Sequence, residues 1–434
     1  MAHRRAHQRP MTTTTGPGPG NRAGWPAAAA PWDYVLGGVR AVLPGAVIDD
    51  ARVVVRGGLI VEAGPAPGGS AADIDGDGLL CVPGLIDVHS DALEVERAPR
   101  PRALLPWEFA VVSLEAKLRA AGITTAFHGA GFQTKQASGL QRTVGSAVEL
   151  CAAIDARAAA PDPLVDHRVL YRLDARSADG AEALAGVLAS REAAGAAAAG
   201  GPPPLVSHED HTPGQGQYAD RRYMERNVAS LAGLSAEQAA RHVDEMIIER
   251  DGQLPVLDRN LAWLGELARA GRIRLVGHDM DSPGAVAALR ARGGSVAEFP
   301  TTTGAARAAR ESGFPVVMGA PNAMRGESHS GNVSAAELVG LGLVTALASD
   351  YLPSGLLAGA VTLARRGVTT LPSAIGLVTA GPAQSAGLTD RGSLVAGLRA
   401  DLALIDDAGH WPVVRAVFRA SRDAPGVSAA TRGR

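Results

Sequence analysis

The most informative segment of the sequence ends in a histidine and an aspartate that are two residues apart. Residues 83–91 read Pro-Gly-Leu-Ile-Asp-Val-His-Ser-Asp, an apolar run that begins at a Pro-Gly pair. Residues two apart on a β-strand point to the same face, so His89 and Asp91 could bind one metal ion together. A histidine at a strand end is also often held only by hydrogen bonds, and this motif alone leaves both interpretations open.

Four further apolar runs are followed directly by imidazoles or carboxylates. These candidates are Asp174 after the third run, His208, Glu209, Asp210 and His211 after the fourth, His278, Asp279 and Asp281 after the fifth, and Asp350 after the eighth. Buried charges cost several kcal/mol unless they are paired or bound to a metal. Imidazole nitrogen with carboxylate oxygen suits zinc, manganese or iron, and no thiolate singles out zinc. The pattern predicts a centre for one or two divalent ions, which would lower the pKa of a water towards neutrality.

Individual candidates within this set have competing interpretations. Asp350 could accept the proton of that water and return it to a leaving group, or it could cap a helix in Ser-Asp-Tyr-Leu-Pro. The barrel context argued below favours the proton-transfer role. His208 and His211 compete for one ligand position, and the residues alone leave that choice open. Asp210 and Asp279, next to candidate ligands, could orient them through hydrogen bonds or could simply be solvated.

The segment after the seventh apolar run, residues 318–332, reads Met-Gly-Ala-Pro-Asn-Ala-Met-Arg-Gly-Glu-Ser-His-Ser-Gly-Asn. Its glycines allow close approach of the backbone, its Ser and Asn side chains supply donors, and its arginine adds a forked cation, which together suit phosphate oxygens. An ordinary polar loop has a similar composition. The candidate substrate-binding residues are Arg325, Ser328, His329, Ser330 and Asn332.

The elements that must position these residues alternate between strand and helix. The predicted strands are 85–88, 124–127, 169–173, 205–207, 273–276, 295–299, 316–318 and 345–348. The predicted helices include 107–121, 141–159, 181–194, 236–250 and 260–270. Eight strands with helical crossovers predict an α/β fold, a (β/α)8 barrel of the TIM type, in which reactive groups follow the carboxyl ends of the strands. A doubly wound open sheet is the alternative.

Short β-like runs also occur at both ends of the chain. Each set is too short for a core of its own, so we expect them to pair into one small composite β-sheet domain. The predicted organisation is a disordered extension over 1–32, the composite β domain over 33–78 plus 389–425, the barrel over 79–388, and a disordered tail over 426–434.

The overall composition excludes several classes of function. The 434 residues include 42 basic and 44 acidic side chains, a formal net charge of −2. Such a balance predicts neither a nucleic-acid-binding nor a membrane-binding surface, and no apolar run reaches the roughly 18 residues of a membrane helix. Cys81 and Cys151 form no ligand-spaced pair, which favours a reducing, cytoplasmic location. The sequence does not determine whether the chain forms a homo-oligomer.

With these motifs in place, the sequence resembles the amidohydrolase superfamily, and more narrowly its diphosphatases of the carbon–phosphorus lyase pathway. The motifs that carry the resemblance are His-Ser-Asp at 89–91, Ala-Ala-Gly-Ile-Thr-Thr at 120–125, Asp-His-Thr-Pro-Gly-Gln at 210–215, His-Asp at 278–279, Met-Gly-Ala-Pro-Asn at 318–322, Ser-His-Ser-Gly-Asn at 328–332 and Ser-Asp-Tyr at 349–351. The resemblance implies metal ligation by His89, Asp91, Asp174, His211, His278 and Asp350. It also implies that Asp350 is the base and that the 318–332 loop binds the phosphates of a phosphorylated ribose, from whose 5-triphosphate pyrophosphate is released.

The sequence departs from the pattern of that branch at three places, one of which is the unusual His208-Glu209 pair ahead of Asp210. Ala92 stands where Asn is expected after His-x-Asp, and Asp174 stands where Glu is expected on the third strand. These departures leave open the substrate and the number of metal ions, and with them a divergent paralogue that acts on another phosphorylated substrate. Two functions of other classes also stay open beside the phosphoanhydride hydrolase. One is hydrolysis of a C–N bond by a deaminase or deacetylase, and the other is a binding scaffold without catalysis.

Overall fold

The computed structural model describes residues 30–427, apart from residues 101, 134, 138–139, 162, 195–200, 329–330 and 423. Residues 1–29 of the predicted N-terminal extension and residues 428–434 of the predicted tail lie outside the described part of the chain.

Strands and helices follow one another in three blocks. The first block is β1 (Tyr34–Leu43), β2 (Ala46–Arg56), β3 (Leu59–Pro65), β4 (Ile74–Asp75) and β5 (Leu80–Pro83). The second begins with β6 (Leu85–Ser90), α1 (Ala92–Arg97), α2 (Trp107–Ala120), β7 (Ile123–Phe132), β8 (Lys135–Ala137), β9 (Leu140–Arg142), α3 (Val144–Ala159), β10 (Asp166–Asp174), α4 (Ala178–Ala193), β11 (Leu205–Glu209), α5 (Arg221–Ala232), α6 (Ala236–Gly252) and α7 (Leu254–Arg269). It continues with β12 (Arg274–His278), α8 (Pro283–Ala291), β13 (Val296–Glu298), α9 (Thr303–Glu311), β14 (Val316–Gly319), α10 (Ala320–Arg325), α11 (Ala335–Gly340), β15 (Ala346–Ala348), α12 (Gly355–Arg365), α13 (Leu371–Gly376) and α14 (Ala380–Ala386). The third block is β16 (Leu402–Asp406) and β17 (Val413–Phe418).

The second block forms an eight-stranded parallel sheet in the order β15-β14-β13-β12-β11-β10-β7-β6. Its two outer strands meet through a parallel bridge between Ser90 and Asp350, so the sheet closes into a barrel. The predicted (β/α)8 barrel is confirmed, and the open-sheet alternative is wrong. All eight predicted strands are present, because each short apolar run is buried on both faces, as a parallel barrel requires.

Hydroxyl side chains begin many of the helices that cover the barrel. Each accepts a hydrogen bond from a backbone N–H in the first turn, which satisfies a donor that the helix leaves free. Such N-caps are Thr143, Ser177, Ser282, Thr302, Ser334 and Thr370. Thr143, Ser177, Ser282 and Thr302 end segments that follow strands, and so limit the length of the connections at the barrel mouth.

The barrel interior has an apolar lower layer. Every barrel strand contributes to this cluster, and α14 adds side chains to it from the amino ends of the strands. Its strand members are Ile86, Val88, Phe127, Leu170, Leu205, Val276, Val296, Val317, Ala346 and Ala348. Because the lower interior is filled, polar side chains can gather only at the carboxyl ends.

Both ends of the chain contribute to the second sheet, in the order β17-β16-β5-β1-β2-β3, with β4 beside β1. The C-terminal β16 pairs antiparallel with β5, which leads directly into the barrel. The predicted composite β-sheet is thereby confirmed. No helix among the described residues is long and apolar enough to cross a membrane.

Candidate metal centre

The closing seam of the barrel brings His89, Asp91 and Asp350 together. The Asp350 N–H donates to the carbonyl of His89 at 3.0 Å, and the Asp91 N–H donates to the carbonyl of Asp350 at 2.6 Å. Asp350 has a φ of 59°, in the left-handed region that aspartate tolerates better than most residues. One potential ligand atom from each of the three residues lies within 4.8 Å of the others.

A second set of donors lies at the ends of β11 and β12. One oxygen of Asp279, Oδ2, lies 3.5 Å from Nε2 of His211 and 3.5 Å from Nε2 of His278. This oxygen and the His211 nitrogen are buried and have no hydrogen-bond partner among the described residues. Asp279 also has a left-handed φ, of 53°. Buried donors and acceptors are normally satisfied, so these converging, unsatisfied atoms fit a cation between them.

Glu298 at the end of β13 contacts both central imidazoles. Its Oε2 accepts a hydrogen bond from Nδ1 of His278 at 2.8 Å, and its Oε1 lies 2.8 Å from Nδ1 of His89 in a less well aligned contact. The two rings stack with centroids 5.7 Å apart. Both Nε2 atoms are thereby left for other partners.

A buried arginine on β10 separates two carboxylates of the site. Arg172 Nη1 lies 2.6 and 2.5 Å from the two oxygens of Asp91, and its Nε donates to Glu209 Oε1 at 2.5 Å. Arg142 adds a contact of 3.2 Å to Asp91. Gly129 on β7 makes this arrangement possible, because a Cβ there would overlap Asp91 Oδ1 and approach Arg172 Cδ to 3.1 Å.

Three groups of side chains in the described part of the chain could hold a metal ion. They are His89 with Asp91 and Asp350, Glu209 with His211 and His278, and His89 with His278 and Glu298. The first two groups share no residue. The third joins them, so the arrangement offers two adjacent positions for cations, with nitrogen and oxygen donors in each.

The electrostatics of the site favour positive charge. Burial opposes the charged form of His278, but Asp279, Glu209 and Glu298 outweigh it and raise the pKa of that imidazole to about 9. Burial raises the pKa of Asp350, and the nearby Asp91 raises it further, although His89 acts in the opposite direction. A group of acids that raises the pKa of an imidazole would equally stabilise a metal cation in its place.

Two of the predicted residues lie in a separate ion-pair cluster. Both oxygens of Asp174 accept from Arg250, at 2.6 and 2.9 Å, and Oδ1 also accepts from the backbone of Arg176. Asp210 accepts from the side chains of Arg176 and Arg250 at 2.8 and 2.9 Å. The structure therefore does not bring Asp174 into any of the three groups. The physical reason is that Arg250, on α6, donates to both oxygens of the Asp174 carboxylate. Asp210 orients these arginines and the Thr212 hydroxyl rather than an imidazole.

The two candidate histidines of β11 are on opposite sides of the barrel wall. Glu209 points inward to Arg172, and His211 lies next to it, with Nδ1 3.3 Å from Glu209 Oε2. His208, one residue before Glu209, points to the other face of the strand. Burial, with Arg292 and His278 nearby, lowers the pKa of His208 to about 4. The geometry places His211, and not His208, with the other donors.

In the described part of the segment after β14, Arg325 makes a contact beside Asp350. Arg325 Nη1 donates to the Tyr351 hydroxyl at 2.9 Å, next to Asp350 in the chain. Asn322 ties the loop to α10 by accepting from the N–H of Ala335 and donating to the carbonyl of Val333. Ser328 and Asn332 lie in this loop, and the predicted His329 and Ser330 lie outside the described residues.

Three residues of the site are absent from the sequence-based candidate set or received no role in it. Arg172 lies within β10, and Glu298 is the last residue of β13 but lies inside the predicted strand 295–299. Glu209 is among the strand-end candidates, but the sequence assigns it no role. A charged side chain inside a buried strand needs a partner, so Glu298 in Val-Ala-Glu-Phe and Arg172 in Leu-Tyr-Arg-Leu carried a usable signal.

Comparison with known proteins places this geometry in a family. The chain is 36% identical over 338 residues to α-D-ribose 1-methylphosphonate 5-triphosphate diphosphatase of Escherichia coli, covering 76% of this chain and 84% of that protein. The chain belongs to this diphosphatase family, within the amidohydrolase superfamily. A scan against protein-family models gave no match. The resemblance inferred from the motifs is confirmed.

Solved structures share the fold at low sequence identity. The 5-methylcytosine deaminase of Klebsiella pneumoniae aligns over 89% of this chain and 96% of its own, with a TM-score of 0.56 and 16% identity. An adenosine deaminase of Xanthomonas campestris with bound zinc aligns over 92% and 96%, with a TM-score of 0.50 and 14% identity. At these identities the likeness concerns the barrel and its accompanying sheet, not the substrate.

Proposed function

We propose that the chain is a metal-dependent diphosphatase that releases pyrophosphate from α-D-ribose 1-methylphosphonate 5-triphosphate. The similarity to the named relative from Escherichia coli carries this proposal. The convergence of imidazoles and carboxylates at the mouth of the barrel supports it. The proposal includes a cytoplasmic location, and Cys81 and Cys151 are both buried and free of a disulfide.

We assign two sets of residues to hold the divalent ions. One is His89, Asp91 and Asp350, and the other is Glu209, His211 and His278, with Asp279 contacting both imidazoles of the second set. Zinc, manganese and iron all suit such donors, and the related fold of an adenosine deaminase with bound zinc is consistent with this. When bound, the ions supply charge stabilisation at the phosphoryl oxygens and lower the pKa of a water. Asp174 is not in this proposed set, because it belongs to none of the three groups of converging ligand atoms and instead pairs with Arg250 in a separate cluster.

Asp350 is the residue best placed to move the proton. The carboxylate accepts a proton from the attacking water while the water oxygen bonds to the α-phosphorus. The bond from that phosphorus to the bridging oxygen breaks, and the proton passes to the departing pyrophosphate, which leaves a ribose 5-phosphate. Burial raises the pKa of Asp350, which brings a carboxylate closer to the range in which it can both accept and return a proton.

The loop after β14 is proposed to bind the phosphates. Arg325 is exposed at the mouth and donates only to a phenol oxygen among its described contacts, so its other N–H groups can meet an anionic ligand. Ser328, His329, Ser330 and Asn332 complete the proposed binding loop. A triphosphate offers many oxygens for such a set, whereas a neutral amide substrate offers few.

Turnover assays would separate the diphosphatase from a C–N hydrolase. The purified full-length protein, supplied with manganese or zinc, is incubated with ribosyl 5-triphosphates and separately with amide and aminopyrimidine substrates. We expect pyrophosphate from the former and neither ammonia nor acetate from the latter. The opposite result would refute the proposed reaction.

Asp350→Asn tests the proposed proton transfer within the same assay. General acid–base catalysis typically contributes about 100- to 10,000-fold, so we expect kcat to fall by a factor in that range. Asp49→Asn is the matched control, since that side chain is exposed in the distant sheet. Retention of wild-type kcat by Asp350→Asn would remove Asp350 from its role.

A further inference from the structure

We propose that Glu298 is a positioning residue shared by both cation positions, because one carboxylate fixes the tautomer of two imidazoles at once. Oε2 accepts the Nδ1–H of His278, and Oε1 lies 2.8 Å from Nδ1 of His89 in a less well aligned contact that favours the same tautomer. Nε2 of His89 and Nε2 of His278 are then both free to bind metal. This inference rests on the metal centre of the proposed function, and it concerns how that centre is built rather than which substrate it serves.

The position of Glu298 in the barrel suits this role. It is 2% exposed and ends β13, the strand that follows β12 in the sheet. Oε1 lies 2.8 Å from His89 Nδ1, and Oε2 accepts from His278 Nδ1 at the same distance. His89 lies at the far side of the barrel, on β6, so a single side chain spans the interior and contacts a residue of each cation position.

An acceptor at Nδ1 of a neutral imidazole determines which ring nitrogen carries the proton. A neutral ring carries one N–H, and an acceptor at Nδ1 holds the proton there, which leaves the Nε2 lone pair for a metal. The two Nε2 atoms then point to different acids. His89 Nε2 lies 3.7 Å from Asp91 Oδ1, and His278 Nε2 lies 3.5 Å from Asp279 Oδ2.

Neighbouring groups hold the carboxylate and the rings in place. The Ser207 hydroxyl on β11 donates to Oε2 of Glu298 at 3.2 Å. The ring of Phe299 packs against both imidazoles, with centroids 4.9 Å from His89 and 5.5 Å from His278. Glu298 therefore has one oxygen for each imidazole, and only its Oε2 is shared with a further donor.

Glu298→Gln separates the tautomer effect from simple packing. Glutamine has the same shape but offers one acceptor oxygen and one donor NH₂, so it can hold only one ring as the Nδ1–H tautomer. The other ring must accept at Nδ1 and carry its proton on Nε2, where metal would bind. We expect one ion to bind as in the wild type and the other to bind about 10- to 100-fold more weakly.

The measurement is metal binding by the full-length protein after removal of bound metal with a chelator. Manganese titration followed by electron paramagnetic resonance gives the number and affinity of the sites, and the visible absorption of the cobalt-loaded protein reports the nitrogen ligands. Ser207→Ala is the matched control, because it removes a hydrogen bond to the same oxygen without changing either tautomer. We expect it to keep both sites.

Several outcomes would overturn the inference. Wild-type affinity at both sites in Glu298→Gln would show that the carboxylate positions neither ring. Equal weakening of both sites would show that its charge, and not its pairing with two N–H groups, is what matters. A wild-type protein that binds no ion would instead refute the metal centre of the proposed function, and this inference with it.

A measurement on the unsubstituted protein covers the case in which Glu298→Gln does not fold. Two-bond ¹H–¹⁵N correlation spectra of the zinc-loaded, ¹⁵N-histidine-labelled protein distinguish the two tautomers of each ring. His89→Asn and His278→Asn assign the signals. We expect the Nδ1–H tautomer at both rings, and the Nε2–H tautomer at either one would overturn the inference.

Discussion

At the scale of single residues, charges inside the barrel strands decide the shape of the site. Arg172 provides a permanent positive charge between Asp91 and Glu209, and burial makes each of the three depend on the others. The strand-end rule predicted His89, His278 and Asp350 from sequence, because the ends of parallel strands meet at one face. It could not predict Glu298, since the reach of an inward side chain across the interior depends on the register of eight strands.

The same rule predicts Asp174 as a metal ligand, but Asp174 lies outside the three groups of converging ligand atoms. The cause is a residue distant in the sequence. Asp174 lies two residues after Arg172 on the same strand and so faces the mouth as expected. Arg250 comes from α6, far along the chain, and takes both its oxygens. A partner that distant in sequence cannot be read from the spacing of residues around Asp174.

Gly129→Ala tests the close packing beside Asp91. The added Cβ would overlap Asp91 Oδ1 and approach Arg172 Cδ, so the Asp91 carboxylate must shift from its position beside His89 and Asp350. Such a displacement of a proposed ligand should weaken metal binding by about 10- to 100-fold, with retention of the fold. Metal titration and far-ultraviolet circular dichroism of the purified variant check both expectations.

Gly131→Ala on the same strand is the matched control for that variant. A Cβ at Gly131 would meet the end of the Gln133 side chain at 3.3 Å and Arg142 Cδ at 3.7 Å, contacts that small side-chain movements can relieve. We expect near wild-type metal affinity. If the two alanine variants behaved alike, the space at Gly129 would have no special role.

At the scale of elements, the strands and helices predicted from the sequence are present in the structure, but some of their predicted ends differ from the observed ends. Helix α2 was predicted to within one residue, whereas β7 runs five residues past its predicted end, to Phe132. The extension contains Gly129 and Gly131, which disfavour a strand by propensity. Packing against Asp91 and Arg172 leaves no room for a Cβ at position 129, so a tertiary contact overrides the local preference at that glycine.

Helix α2 is fastened to the barrel by a buried carboxylate, which predicts a dependence of stability on pH. Burial opposes ionisation of Glu115, but hydrogen bonds from His167 and Arg157 outweigh it and lower its pKa. A folded-state pKa below the unfolded value of 4.5 means that the stabilisation is present above pH 4.5 and is lost as the pH falls through the folded-state pKa.

Glu115→Gln should therefore be less stable than the wild type at neutral pH, with a difference that narrows under acid conditions. Denaturant unfolding at a series of pH values from neutral to about 3 measures this. Glu108→Gln, an exposed position on the same helix, should follow the wild-type curve at every pH. A constant difference between Glu115→Gln and wild type across the series would show that the carboxylate charge does not contribute.

At the scale of the whole molecule, the C-terminal part of the chain is joined to the barrel at the amino ends of its strands, opposite the proposed metal centre. Asp166 begins β10 and accepts from Arg391 Nη1 and Arg422 Nη2, each at 2.8 Å. Arg391 also donates to the Thr125 hydroxyl on β7 at 2.8 Å. The segment that leads from α14 to β16 is thus held by a carboxylate on β10 and a hydroxyl on β7. The sequence could not reveal these contacts, because the partners are more than 200 residues apart.

Asp166→Asn should destabilise the protein without changing the metal centre. The Arg391 side chain is 4% exposed, and in Asp166→Asn it keeps Asp390 as its acidic ion-pair partner among the described residues. Loss of one buried charged partner should cost about 3 kcal/mol. Asp258→Asn, an exposed change on α7, should be nearly neutral. Since the apolar lower layer separates Asp166 from the mouth of the barrel, we expect metal affinity in both variants to equal that of the wild type. A denaturation midpoint for Asp166→Asn equal to that of Asp258→Asn would show that the arginine cluster does not stabilise the junction, and a loss of metal affinity would show that the two faces of the barrel are coupled.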